Sequence, residues 1–255
     1  MLPSTLRGAK QAHDWQDASL DESPSGSKNG TSQNGANPLR SYFDSVVGGR
    51  GIWKWLHYFD IYHRHFQKFI GQDVRVVEVG IYSGGSLNMW KAYFGPKCRI
   101  YGVDIEPACK RYEDERTRVF IGDQGDREFW REFRQQVPDV DIVIDDGGHL
   151  PQQQIVTMEE TLPYLRKGGV YLCEDITGEH NRFAAYLHGF TAEMNAFAVN
   201  NSTESKVLPS GIQRSIGSVH LYPFVAVVEK AERAVDEFWA PKRGTEWQPF
   251  FPSKE

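Results

Sequence analysis

The chain has 255 residues, a quarter of them charged, and a formal net charge of −5. That length suits one large α/β domain, or a domain with a tail. The acidic balance, without any Lys/Arg run, speaks against a nucleic-acid groove. No apolar run approaches the ~18 residues of a membrane-spanning helix. Arg7 and Lys10 stand near the N-terminus without the apolar stretch of a secretory leader. The three cysteines, Cys98, Cys109 and Cys173, have neither metal-ligand nor disulfide-like spacing. They read as buried, reduced thiols, and the expected location is cytoplasmic.

Residues 1–38 are polar and rich in breakers, with too little apolar area in Ser23 to Pro38 to offset ordering entropy. They predict a disordered tail carrying at most a short helix near 9–20, ahead of a domain over 39–255. The run from Ile52 to Ile70 has apolar residues at helical spacing. It predicts an amphipathic helix with Trp55, Phe59, Tyr62 and Phe66 on one face. Strands and helices then alternate. Strands are predicted at 74–79, 99–103, 118–121, 140–144 and 170–173, with helices at 86–93, 127–136 and 152–165 between them. Successive βα units of this length imply a parallel sheet with helices on both faces. A helix near 183–197 and a polar stretch at 200–205 follow. Strand-like runs at 216–222 and 224–229, joined tightly at Pro223, require an antiparallel pair.

Several strands end in polar or acidic residues, as buried parallel strands do where they open into a site. After the first comes Gly80-Ile-Tyr-Ser-Gly-Gly-Ser86, whose glycines let backbone approach a ligand closely. The spacing is neither G-x-G-x-x-G nor a phosphate-binding loop. Gly80, Tyr82, Ser83 and Ser86 are assigned to a cofactor on this turn. Glu78, inside an apolar strand, needs hydrogen-bonding partners; the cofactor or the protein itself can supply them. Asp104, ending the second strand, is placed to accept ribose hydroxyls. Asp123, with Gln124 beside it, ends the third and can reach an adenine amino group.

The fourth strand runs into Asp145-Asp-Gly-Gly-His149 and the fifth into Glu174-Asp175. Side by side, such tips crowd carboxylates that stay ionised only with a compensating cation. His149 either serves as a base beside that cation or holds the Gly147-Gly148 turn.

Taken together, VEVGIYSGGSLNMW, IYGVDI, IGDQGD, IDDGGH and CEDI resemble the macrolide-sugar and rhamnosyl O-methyltransferases, relatives of the cephalosporin-hydroxylase-like proteins. The resemblance covers about residues 40–247. It implies a Rossmann-like class I methyltransferase fold, a seven-stranded sheet with five parallel strands closed by the antiparallel hairpin. It implies S-adenosylmethionine as methyl donor and Mg2+ as metal. Position by position, it makes Asp146, Glu174 and Asp175 the metal ligands, His149 the catalytic base and Asp104 the cofactor acid; Asp145 is kept on the cofactor side. Ile176-Thr-Gly-Glu-His180 departs from the aromatic-bearing segment usual after the Glu-Asp pair, so the acceptor is not read from it.

The reaction expected is metal-assisted O-methylation of one hydroxyl of a vicinal diol, on a sugar or glycosylated metabolite. A homo-oligomer is compatible with the same resemblance. An iron hydroxylase fits less well, since such sites favour two histidines and one carboxylate. A non-catalytic binding protein has no physical reason to keep a costly acidic cluster.

Overall fold

The computed structural model describes residues 3–13, 37–178, 180–196 and 206–244. Its contacts divide the chain into residues 1–36 and 37–255. Within the first unit, α1 is a helix over Pro3–His13. The short helix expected near 9–20 thus lies nearer the N-terminus; residues 14–36, which hold most of the expected tail, lie outside the described residues. In the second unit Asn37 caps α2 (Pro38–Ser45), its side chain accepting from the amides of Leu39 and Arg40.

The strands are β1 (Arg75–Val79), β2 (Arg99–Asp104), β3 (Thr117–Ile121), β4 (Val140–Asp145) and β5 (Leu165–Cys173). After β5 come the short β6 (Lys206–Val207), then β7 (Ile216–Tyr222), β8 (Val225–Lys230) and β9 (Phe238–Trp239). Seven of them form one sheet in the order β3-β2-β1-β4-β5-β8-β7, with β6 and β9 paired apart. β1 to β5 run parallel; β8 is antiparallel to β5, and β7 to β8. The expected layout is therefore present. One strand is longer than its sequence signal: β5 begins at Leu165, and Gly168-Gly169 lie within it beside a register shift opposite Val140 and Ile142. Glycine pairs read as a connection because they weaken strands, yet they also mark bulges.

The helices are α3 (Tyr58–Phe66), α4 (Gly85–Phe94), α5 (Arg127–Gln136), α6 (Pro151–Thr161), α7 (Arg182–Met194) and α8 (Gly211–Ser215). Period-2 alternation sends the side chains of each strand to opposite faces. Val76, Ile100, Ile142 and Leu172 pack with α2, α3 and α4 on one face. Val77, Val103, Val143 and Tyr171 pack with α5, α6 and α7 on the other. The cysteines are free and buried, as expected. No helix among the described residues is long and apolar enough to cross a membrane.

The helix expected over 52–70 is much shorter. It starts only at Tyr58, and residues 46–57 form an irregular strap in which Trp53 is 89% exposed. Gly48, Gly49 and Gly51 precede the run, and Trp55 and Leu56 face outward instead of joining the apolar stripe.

Trp130 on α5 is fully buried and donates its indole N–H to the Gln124 carbonyl at 2.8 Å. Trp130→Phe leaves that carbonyl unpaired and is expected to lower the unfolding free energy by about 1–3 kcal/mol. Trp130→Ala adds a cavity and is expected to cost about 3–5 kcal/mol. Urea titration measures both; a Trp130→Phe chain as stable as the parent would show that the hydrogen bond contributes nothing beyond packing.

Candidate active site

Strand register brings the polar tips level. Val79 pairs with Asp145, and Asp145 with Cys173. The ladder continues beyond the strands: the Asp146 amide donates to the Val79 carbonyl at 3.0 Å, and the Glu174 amide to the Asp145 carbonyl at 2.9 Å. Strand order reverses between β1 and β4, the switch point where open α/β sheets bind ligands at their carboxyl ends. A cavity of about 890 Å³ lies there, walled by the β1, β2, β4 and β5 tips, the Gly122–Gln124 turn after β3 and the strap.

Gly80 makes the close approach possible. Its φ is +81°, and a Cβ there would stand 2.0 Å from the Asp146 carbonyl oxygen. Left-handed backbone also occurs at four non-glycine residues among those described: Tyr82 (φ 43°), His149 (φ 55°) and Asp175 (φ 52°) border the cavity, and Phe224 (φ 64°) lies outside its lining. Such strain persists where surrounding structure fixes it, and it collects at functional sites.

On the cofactor side, Gly80, Tyr82, Ser83, Ser86, Asp104, Asp123 and Gln124 line the cavity. Asp104 Oδ2 accepts the amides of Ile81 and Tyr82, both at 3.0 Å, which fixes the turn against β2. Asp123 Oδ1 accepts the Gly125 amide at 2.7 Å. Gln124 is held on both ends of its amide: Nε2 donates to Asp145 and Thr157, and Oε1 accepts the Gly148 amide at 2.6 Å. Gln153 also borders the cavity, and its buried Oε1 has no hydrogen-bond partner.

Two residues assigned to the cofactor do not line the cavity. Glu78 is fully buried, its oxygens taken by Ser86 Oγ and Trp90 Nε1, both at 3.0 Å. The protein itself satisfies this carboxyl, whose pKa is raised by burial and drawn back by Lys54 and these donors. Asp145 is 1% exposed and turned toward Gln124 and Tyr171. Burial pushes it up to about 6 against those hydrogen bonds. It braces the tip from within and does not line the cavity.

Asp146, Glu174, Asp175 and His149 all border the cavity. Ligand atoms of Asp146, His149 and Asp175 lie within 4.8 Å of one another. His149 Nε2 stands 3.8 Å from Asp175 Oδ2. Glu174 sits deeper and is engaged otherwise. Lys54 Nζ contacts Asp146 Oδ2 at 2.5 Å and Glu174 Oε2 at 2.9 Å, with the Lys54 side chain only 3% exposed. Tyr62 donates to Glu174 Oε1 at 2.7 Å. Burial alone would lower the Lys54 pKa, but Asp146, Glu174 and Glu78 outweigh it and the ammonium stays charged. Burial and Asp146 push Glu174 up, and Lys54 opposes them. Asp175 accepts from Tyr58 OH at 2.7 Å and from Trp55 Nε1 at 3.1 Å. His180 is exposed and outside the cavity lining, and Glu179 lies outside the described residues.

Lys54, Trp55, Tyr58 and Tyr62 were not singled out as site residues by the sequence. One signal was available: Lys54 is a lone cation between two tryptophans in an aromatic run.

An open sheet of this order, with a glycine turn after β1 and acid tips on β4 and β5, is the architecture of a class I methyltransferase. Residues 77–176 match a family model described as a methyltransferase domain. Over a longer stretch the chain is similar in sequence to sugar O-methyltransferases of antibiotic pathways, in line with the sequence resemblance. It is 35% identical to mycinamicin VI 2''-O-methyltransferase of Micromonospora griseorubida over 202 residues, 69% of this chain and 48% of that protein. It is 31% identical to the 8-demethyl-8-(2-methoxy-alpha-L-rhamnosyl)-tetracenomycin-C 3'-O-methyltransferase of Streptomyces olivaceus, over 75% of this chain and 54% of that one. The structure of MycE methyltransferase of the mycinamycin pathway, in complex with Mg, SAH and mycinamycin VI, superposes with a TM-score of 0.61 at 30% identity. That match covers 76% of this chain and 53% of MycE. The chain thus spans about half the length of the curated relatives it matches.

Gly80→Ala forces a methyl group into the Asp146 carbonyl and a disfavoured φ. It is expected to lower the unfolding free energy by at least about 2 kcal/mol. Thermal and urea unfolding measure this; stability equal to the parent would show that the turn relaxes freely.

Proposed function

We propose that this chain transfers a methyl group from S-adenosylmethionine to a hydroxyl of a sugar or glycosylated metabolite, with Mg2+ held by Asp146, Glu174 and Asp175. The observation that carries the reading is the convergence of these acids and the Gly80–Asp104 turn on one cavity. Residues 39–255 would form the catalytic unit, acting on small molecules and not on nucleic acid, alone or as a homo-oligomer. Free, buried cysteines support a cytoplasmic location.

The residues offer donors for both groups, with Asp146 and Asp175 within 4.8 Å of each other and of His149, and Glu174 set deeper against Lys54 and Tyr62. For the methyl donor, the unpartnered Gln153 Oε1 offers an acceptor to an exocyclic amine, beside Asp123. Asp104 has its oxygens oriented by the Ile81, Tyr82 and Glu106 amides and keeps lone pairs for ribose hydroxyls. For the metal, carboxylate oxygens are the donor class that Mg2+ takes. The Lys54 ammonium shows that Asp146 and Glu174 accept a shared positive charge. Bound there, the ion would supply Lewis acidity, lowering the pKa of an acceptor hydroxyl.

The chain's own residues do the rest. Tyr58 and Trp55 orient the Asp175 carboxylate through their hydrogen bonds. Tyr62 does the same for Glu174. His149, 41% exposed in its side chain and held in strained backbone, faces the open cavity and takes the acceptor proton at an imidazole nitrogen. The strap covers the cavity with Trp53, Lys54 and Trp55 and limits the water that reaches it.

A mass-shift screen of glycosylated acceptors, with and without Mg2+, tests the reading. One added methyl that disappears on chelation supports it, and turnover indifferent to chelation sinks the metal's role. His149→Ala is expected to lower kcat by about 10²- to 10⁴-fold with cofactor affinity little changed; equal loss of both would mean that His149 only shapes the turn. Lys54→Met removes the competing ammonium. Calorimetry is expected to show Mg2+ binding about tenfold tighter than in the parent chain. Weaker binding would make Lys54 a companion of the metal instead of its rival.

A further inference from the structure

On the α3 side of the sheet, away from the strand tips, His65, His220 and Glu229 meet. We propose that they form a second metal site, which takes a late first-row transition ion such as Zn2+ and pins α3 to the β7–β8 hairpin. The inference is independent of the function read at the strand tips.

Ligand atoms of all three residues lie within 4.8 Å of one another. His65 Nδ1 is 2.9 Å from Glu229 Oε1. Donors bound tetrahedrally to one ion at ~2.0–2.1 Å stand roughly 3.3 Å apart, so an ion would replace the proton of this hydrogen-bonded pair with only a small separation of the two donors. The His65 and His220 rings meet edge to face, with centroids 4.6 Å apart. The third donor, on His220, lies within 4.8 Å of the other two and would have to close onto the ion. Two imidazoles and a carboxylate suit zinc and its neighbours, and they discriminate against Mg2+, which prefers oxygen alone.

The surrounding hydrogen bonds are those that orient metal-binding imidazoles. Tyr222 OH engages His65 Nε2 at 2.9 Å, and Ser218 Oγ engages His220 Nε2 at 3.0 Å. Ser218 also reaches Glu229 Oε2 at 3.4 Å. His65 is 3% exposed, so its ring is held in place by packing. The neighbouring cations oppose an ion: Lys68 Nζ lies 3.7 Å from Glu229, and Arg64 acts on His220. Lys68 is partly exposed and free to withdraw.

The location gives the site a role. β7 is an edge strand, held in the sheet by β8 alone. Along α3, Tyr58, Tyr62 and His65 recur at helical spacing, and the two tyrosines donate to Asp175 and Glu174. An ion on His65 would fix the same helix that orients the acids of the strand tips.

The test titrates Zn2+ by calorimetry into the full chain, into His220→Ala and into an Asp146→Asn/Asp175→Asn double variant. The proposal expects one Zn2+ per chain, retained in the double variant and weakened about tenfold or more in His220→Ala. Zn2+ should raise the melting temperature of the parent but not of His220→Ala, and bound Co2+ should show a visible absorption band that this variant loses. If His220→Ala fails to fold, Glu229→Gln replaces it with the same expected loss. The proposal is overturned if the parent binds no stoichiometric Zn2+, if His220→Ala binds as tightly as the parent, or if binding disappears only with the strand-tip acids.

Discussion

The arrangement depends on charge compensation at the carboxyl ends of β4 and β5. Sheet register forces Asp146 and Glu174 into proximity, because the main chain of each is bonded to the neighbouring tip. Buried carboxylates left unpaired are costly, and desolvation is repaid only when a cation and further hydrogen bonds complete the cluster. In this structure Lys54 is that cation and Tyr62 supplies a further donor. A divalent ion in place of the ammonium would keep the sign of the compensation and would offer Lewis acidity to a substrate oxygen.

This makes the strap and α3 part of the site instead of a cover laid over a finished one. Residues 54, 55, 58 and 62 reach the acids from one continuous segment. The strap is anchored where Gly85 admits it: a Cβ on Gly85 would stand 2.2 Å from the Gly51 carbonyl oxygen. At its other end, Trp55 packs on Phe224, whose carbonyl accepts the Ile176 amide. The strap thus touches both the turn after β1 and the segment after β5, the two regions between which methyl donor and acceptor would meet. The left-handed backbone at Tyr82, His149 and Asp175 borders the same space, so strain and chemistry coincide.

Much of this was legible in the sequence because burial on both faces leaves a plain signal. The runs VVEV, IVID and VYLC are largely apolar, and the glycine turn that follows the first and the acids that end or follow the other two announce a site. What register does to Asp145 and Asp146 was not legible. Adjacent carboxylates alternate across a strand end, and only the structure shows that Asp145 turns inward to Gln124 and Tyr171 while Asp146 faces the cavity. Glu78 was ambiguous for a related reason: its partners Ser86 and Trp90 come from the following helix, whose facing depends on the turn between. The strap was misread as helix because Trp55 fits the apolar stripe of Phe59, Tyr62 and Phe66. Periodicity cannot distinguish an aromatic packed in a core from one laid across a site.

The relatives that carry sugar O-methyltransferase names are about twice the length matched here, so the electrostatic core is the part of the account that this chain tests by itself. Diffraction from crystals grown with Mn2+ in place of Mg2+ tests it most directly. The account predicts an anomalous peak bounded by the carboxylates of Asp146, Glu174 and Asp175, with the Lys54 ammonium drawn away from Glu174. A map without density at that position, and with Lys54 still bridging the two acids, would contradict it.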